Sequence, residues 1–195
     1  MTMRGLTIIE AIVTITITSL LMIVISQAVL SFYKSNRVAL EESFQIRSAE
    51  RGAQTLVRDL REATYGDDGA YPLAEIGPNS MTFYSDVDRT SPVERIRYII
   101  IGTTLYRAVT SSAGNPPQYT GTVATSTVSD YVRNIGDGIA LFRYYDASGV
   151  EVTDPADIAE VVSVSMSLVV DITPIHAPGE FTLRSSASLR NLRPQ

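Results

Sequence analysis

The chain is 195 residues long, 45% hydrophobic and 19% charged, which suits one folded domain with a further segment attached and excludes a polar disordered tract. Its net charge of −5 is uneven: seven basic and six acidic side chains lie in residues 1–65, against nine and fifteen in residues 66–195. An acidic C-terminal part argues against a nucleic-acid footprint, and the absence of cysteine excludes a disulfide framework and a thiolate metal site.

From Leu6 to Tyr33 run 28 residues with a single charge, Glu10, and neither glycine nor proline. A bilayer span needs ~20 apolar residues, so this segment is long enough to cross with some tilt. Ile12 to Thr18 alternates like a strand, but a lone strand in lipid leaves its backbone unpaired, whereas a helix satisfies its own. The threonine hydroxyls can bond back to the carbonyl one turn earlier, so a helix is expected. Lys34 to Thr64 then carries six basic and five acidic residues around an apolar stripe of Leu40, Phe44, Ala49, Ala53, Leu56, Leu60 and Thr64, thickened by Val57. That pattern predicts a helix packed on a globular body, weakened only by Gly52. The combined element, 6–65, would be roughly 90 Å long at 1.5 Å per residue. Tyr65-Gly66-Asp67-Asp68-Gly69 is its stop.

Beyond Gly69 the texture changes to short alternating segments. Strands are expected at Ser80–Ser85, Glu94–Ile101, Thr104–Val109, Ile139–Tyr145, Val150–Val152, Val161–Ile172 and Glu180–Leu189. Gly102-Thr103 and Asp146-Ala147-Ser148-Gly149 make turns. The clearest half-buried strand has Val162, Val164, Met166, Leu168 and Val170 on one face, and Phe181, Leu183, Ser185, Ala187 and Leu189 belong to its partner. Residues 110–127 are expected to form a long surface loop. The fold class is therefore α+β: a long N-terminal helix whose second half packs on an antiparallel sheet.

Two readings of the apolar run stand side by side. One is a secretory signal peptide, with Met1–Arg4 as its basic start and Ser26-Gln27-Ala28 as a small-x-small cleavage site, releasing a β-rich binding domain. The other is a membrane anchor processed before the apolar run, at Gly5. Arg4-Gly5-Leu6-Thr7-Ile8-Ile9-Glu10 resembles the type III signal of type IV pilin-like proteins. The resemblance implies a leader (1–5) removed by prepilin peptidase with a cut after Gly5, and Leu6 as the N-methylated mature N-terminus. It further implies an assembly helix (6–33), an amphipathic helix (34–65) and a sheet domain (66–195). Glu10 would be the assembly carboxylate, paired with a neighbouring subunit's terminal amine. Other pilin or pseudopilin subunits and an inner-membrane assembly platform are the implied partners. The implied location is the inner membrane, single-pass, with the globular domain outside the cytoplasm, and then a pilus or pseudopilus filament. Charge counting does not supply that orientation, because Arg4 precedes the span whereas Lys34, Arg37 and Arg47 follow it. The order MTFYSDVD, ERIRYIIIGTTLYRAV, VRNIGDGIALFRYYDASG and a closing alternating strand is most similar, within that family, to the J-type minor pseudopilin of type II secretion. Many major pilins carry a mid-span proline where Gln27 stands, so no kink is expected there.

Chemistry is sparse. His176, the only histidine, lies in the turn Pro174-Ile175-His176-Ala177-Pro178 and is expected to be an exposed turn residue rather than a catalytic one. There is no G-x-S-x-G, and Asp67-Asp68 falls far short of a calcium loop. Tyr98, Tyr144 and Tyr145 are expected to pack the sheet or cover its edge, a partner surface being the alternative. Arg95 and Arg97 share the wet face. No cofactor is expected, and the reading is of a non-enzymatic structural subunit.

Overall fold

The computed structural model describes residues 7–90, 92–171 and 179–189. It divides into two compact units, Met1–Glu41 and Glu42–Gln195, and one helix, α1 (Ile8–Arg61), passes through both.

In the first unit α1 is apolar and exposed on all sides, and Ile8–Arg37 is long and apolar enough to cross a membrane. It runs without a break through Gln27. The strand-like alternation of Ile12 to Thr18 is overridden as expected: Thr14, Thr16 and Thr18 donate to the carbonyls of Glu10, Ile12 and Thr14 at 2.9, 2.8 and 2.7 Å. Each hydroxyl is thereby satisfied inside its own helix.

In the second unit the helix stripe begins later than its sequence suggests. Ala49, Ala53, Leu56 and Leu60 are buried, whereas Leu40 and Phe44 are 53% and 66% exposed. The helix also ends at Arg61, not Tyr65, because the next residues leave it to meet a strand. Ala63 bridges to Ser85, and the Thr64 N–H donates to the Tyr84 carbonyl at 3.0 Å.

Two antiparallel sheets complete this unit. The first has the order β1 (Leu73–Ile76), β2 (Ser80–Ser85), β3 (Glu94–Ile101), β4 (Thr104–Ser111) and β5 (Ala124–Ser129). The second places β7 (Glu151–Val152) beside β6 (Phe142–Tyr145), then β8 (Ser163–Asp171) and β9 (Glu180–Ser188). A 3-10 helix, Pro155–Glu160, lies between β7 and β8 in the chain. Gly102 and Gly149 take φ of +62° and +82° in the β3–β4 and β6–β7 turns, a region that L side chains rarely adopt. In the closing pair Val164 faces Ala187, Leu168 faces Leu183 and Val170 faces Phe181, the pairing read from the alternation. One departure is the 110–127 segment: β4 continues to Ser111 and β5 takes up Ala124–Ser129, leaving only 112–123 outside strands. Strand β5 lies at the sheet edge with its first four side chains exposed, so burial imposed no apolar alternation on it.

Met81, Phe83, Ile96, Tyr98 and Leu105 from the first sheet share one core with Phe142, Val164, Met166 and Leu168 from the second and with the α1 stripe. Into that core α1 sends a carboxylate, Asp59, which is fully buried. Its Oδ2 accepts from the Tyr98 hydroxyl at 3.1 Å and from Arg107 Nε and Nη2 at 2.9 Å each. The Asp59 carbonyl, in the last turn of the helix, accepts from Ser85 Oγ at 2.8 Å. One residue therefore ties α1 to β2, β3 and β4.

Gly52 has a packing reason as well. A Cβ there would collide with Val128 Cγ1 on β5, and the neighbouring Ser48 Oγ donates to the Val128 carbonyl at 3.1 Å. Helix propensity alone predicts that Gly52→Ala stabilises by ~1 kcal/mol. Overpacking costs ~1–3 kcal/mol, so the expected result is a lower Tm, restored by adding Val128→Ala. Asp59→Ala should cost ~3–5 kcal/mol in denaturant unfolding, since it strands the Arg107 guanidinium. A change below ~1 kcal/mol would mean that the buried pair does not hold the helix.

Candidate assembly site at the start of the helix

Gly5 and Leu6 lie outside the described residues. The described chain opens on Thr7, whose carbonyl accepts from the Ala11 N–H at 3.1 Å and whose Oγ1 accepts from the Glu10 N–H at 3.3 Å. Thr7 is therefore the N-cap and Glu10 the third helical residue, the S/T-x-x-E spacing of a capping box. That spacing is legible in the sequence, although the apolar length of the run is its stronger signal. Glu10 is exposed, one turn into the helix, where the positive end of the macrodipole favours an anion. Its surroundings are apolar: Ile8, Ile9, Ile12 and Val13 are all exposed. The first turn thus offers one carboxylate on an otherwise uncharged surface.

The other sequence candidates resolve differently. His176 lies outside the described residues. Asp67 is a loop tie: its Oδ2 accepts from the Val93 N–H at 3.1 Å and from Ser112 Oγ, while its own N–H donates to the Tyr119 hydroxyl at 3.0 Å. Asp68 Oδ1 accepts from the Ala70 N–H at 3.0 Å. Tyr98 is buried against Asp59, and burial, then the Asp59 charge, hold its hydroxyl well above the ordinary tyrosine range. The Tyr144 hydroxyl clasps Gly77, accepting from its N–H at 3.1 Å and donating to its carbonyl at 2.9 Å; burial raises it likewise. Arg95 and Arg97 do share the outer face, with Arg95 lying 5.6 Å over the Tyr119 ring and donating to the Tyr119 carbonyl at 3.0 Å.

A feature absent from the sequence reading is the approach of Asp86, Asp88 and Glu94, whose carboxylate oxygens lie within 4.8 Å of one another. Glu94 opens β3, 4% exposed, and its Oε2 accepts from the Val87 N–H at 3.2 Å. Burial first, then Asp88 and Asp86, push its carboxyl above the ordinary range. Asp88 is lowered by the side-chain and backbone hydrogen bonds from Thr90.

No protein-family model matches the chain, and no curated protein sequence does. Among solved structures it is similar to a chain of the crystal structure of the GspK-GspI-GspJ complex from the enterotoxigenic Escherichia coli type 2 secretion system. The identity is 16%, the TM-score 0.43, and the match covers 77% of this chain and 99% of that one.

The Glu94 environment gives a pH signature. Because its folded value is raised, ionisation penalises the folded state; the penalty is absent below the ordinary carboxyl range and complete above the folded value. The contribution of Glu94 to stability therefore falls as pH rises through that window. Glu94→Gln should match wild type near pH 3 and exceed it at about pH 7 in thermal unfolding. A variant less stable at both pH values would overturn this assignment.

Proposed function

We propose that the chain is a type IV pilin-like structural subunit, a minor pilin or pseudopilin. In this reading it is cut after Gly5 by prepilin peptidase, N-methylated on Leu6, held in the inner membrane by α1, and drawn by an assembly platform into a secretion pseudopilus or pilus. Its partners are other pilin or pseudopilin subunits, and it performs no catalysis. The observation that carries the reading is Glu10: an exposed carboxylate in the first turn of a helix that stays uncharged to Tyr33.

Acidic side chains at a span's centre cost ~2.5–3.5 kcal/mol on insertion scales, and less toward an end. The capping turn and helix dipole offset part of this in the isolated subunit. Assembly supplies the rest, by placing the Glu10 carboxylate of one subunit opposite the Leu6 ammonium of the next. In a low dielectric that pairing is strong and a misregistered charge is penalised, so Glu10 sets the stagger between neighbours.

Glutamine serves a capping box as well as glutamate does, but it carries no charge. Glu10→Gln and Glu10→Ala should therefore both reduce incorporation into sheared filaments by about tenfold or more, the loss of ~1.4 kcal/mol or more per contact. Wild-type incorporation of Glu10→Gln together with loss in Glu10→Ala would reduce Glu10 to a cap and sink the charge-pairing mechanism. Mass spectrometry of the mature N-terminus should find Leu6 bearing one additional methyl group. A chain beginning near Val29 would instead establish release by ordinary signal peptidase.

A further inference from the structure

The outer face of the first sheet departs from what a wet sheet face requires. Antiparallel sheets with one solvated side alternate apolar-in and polar-out, yet Ile99, Ile101, Tyr106, Ala108 and Val123 share this face with Arg95 and Arg97. Ile101 and Val123 are 61% and 51% exposed. The strand register gives the face its relief. Thr82, Arg97, Ala108 and Thr125 stand opposite one another on β2 to β5, with Glu75 opposite Thr82 on β1. Apart from Arg97 and Glu75, that row is short side chains. The row on one side sets Ile99 against Tyr106; the row on the other sets Tyr84 against Arg95. Large side chains thus wall a floor of small ones, forming a trough of about 610 Å³ that crosses the strands. Five strands ~4.8 Å apart make it ~19 Å long, the reach of about six extended residues.

Charge selects the occupant. In a domain that is strongly acidic overall, two arginines and one glutamate line this trough. Arg95 is fixed on Tyr119, but Arg97 is half-exposed and its Nη2 stands 3.7 Å from Glu75 Oε2, longer than a charge-assisted hydrogen bond. Glu75 is itself engaged, accepting from Thr82 Oγ1 at 3.1 Å. Arg97 thus forms an ion pair with Glu75, and its guanidinium, with five N–H donors, has capacity for a second carboxylate.

We propose that this trough is a docking groove for an extended protein segment of about six residues in which large apolar side chains flank a carboxylate. The carboxylate meets Arg97 over Ala108, and the flanking side chains lie against Ile99 and Tyr106 on one wall and Tyr84 and Val123 on the other. This goes beyond the assembly role, since it concerns a surface made by β1 to β5 and does not depend on how the N-terminus is processed.

The test uses the full chain in lipid nanodiscs and the fluorescein-labelled hexapeptide Ala-Leu-Phe-Asp-Ile-Leu, read by fluorescence anisotropy, with a Lys-for-Asp peptide and empty nanodiscs as controls. Saturable binding of the Asp peptide is expected, about tenfold or more tighter than that of the Lys peptide. Arg97→Glu should reverse the preference, and Ala108→Trp, which fills the floor, should remove binding of both. Absence of saturable binding, equal binding to empty nanodiscs, or a preference unchanged by Arg97→Glu would overturn the proposal. Should Ala108→Trp fail to fold, the Arg97→Glu comparison decides alone, since a half-exposed side chain leaves the core untouched. The mature N-terminus is measured separately, so failure here and failure of the pilin-like reading remain distinguishable.

Discussion

The sheet-bearing unit depends on one buried carboxylate. Asp59 has no exposed surface, and its Oδ2 gathers three donors, two from Arg107 and one from Tyr98. Buried ion pairs often stabilise little against an apolar alternative, but removing one partner leaves a charge with nowhere to go. Here the pair also fixes a setting. The helix stripe is rich in small residues, Ala49 and Ala53 beside Gly52, and smooth surfaces of that kind slide and rotate at low cost. A hydrogen-bonded carboxylate does not. By holding β3 and β4 through its side chain and β2 through its carbonyl, Asp59 anchors α1 to three strands at one point.

Small residues then let the chain approach closely where that setting permits. Val128 sits against Gly52 with no room for a methyl group, and Ser48 bonds to its carbonyl, so the edge strand β5 is docked on a single helical turn. A glycine that weakens the helix by propensity thus makes room for the strand. The trade is between ~1 kcal/mol of local preference and a larger packing term, and packing wins. Earlier in the same helix the demand is different. Threonines in an apolar run would be poor helix residues by propensity, but Thr14, Thr16 and Thr18 each bond to the helix's own backbone, so their hydroxyls are satisfied without solvent.

What was legible follows from this division. Strands β2 and β3 have the bounds their alternation indicated, and the β8–β9 pairing was readable because one face is buried and the other is mostly serine. Strands β1 and β5 were not readable: both are short edge strands whose exposed positions carry no apolar code. Leu40 and Phe44 continue the stripe in sequence but not in burial, because periodicity records a helix face and not where its partner begins. Asp59 escaped for the opposite reason. Acidic residues on an amphipathic helix are ordinarily solvated, and only the distant Tyr98 and Arg107 reveal that this one is inside. The Asp86, Asp88 and Glu94 cluster likewise needs the β2–β3 hairpin to assemble it. At the N-terminus the motif was legible while its geometry was not, since the stretch that resembles a processing signal also contains the Thr7 cap.

That overlap bears on why a glutamate stands at position 10. The capping bond to Thr7 Oγ1 comes from the Glu10 backbone N–H, so local structure favours a capping-box side chain here and requires nothing of its charge. Solvation presses against the charge, because exposed Ile8, Ile9, Ile12 and Val13 surround it. An uncharged residue would meet the first demand and avoid the second. Glutamate is therefore explained by its helix only in part, and the proposed pairing on assembly would account for the remainder. In the proposed assembly, a cut after Gly5 would leave an amine at the start of a second, parallel helix to meet that carboxylate with no additional residue. Under the proposed assembly role one side chain would serve twice: its charge suits the positive end of its own helix and would set the spacing to the next.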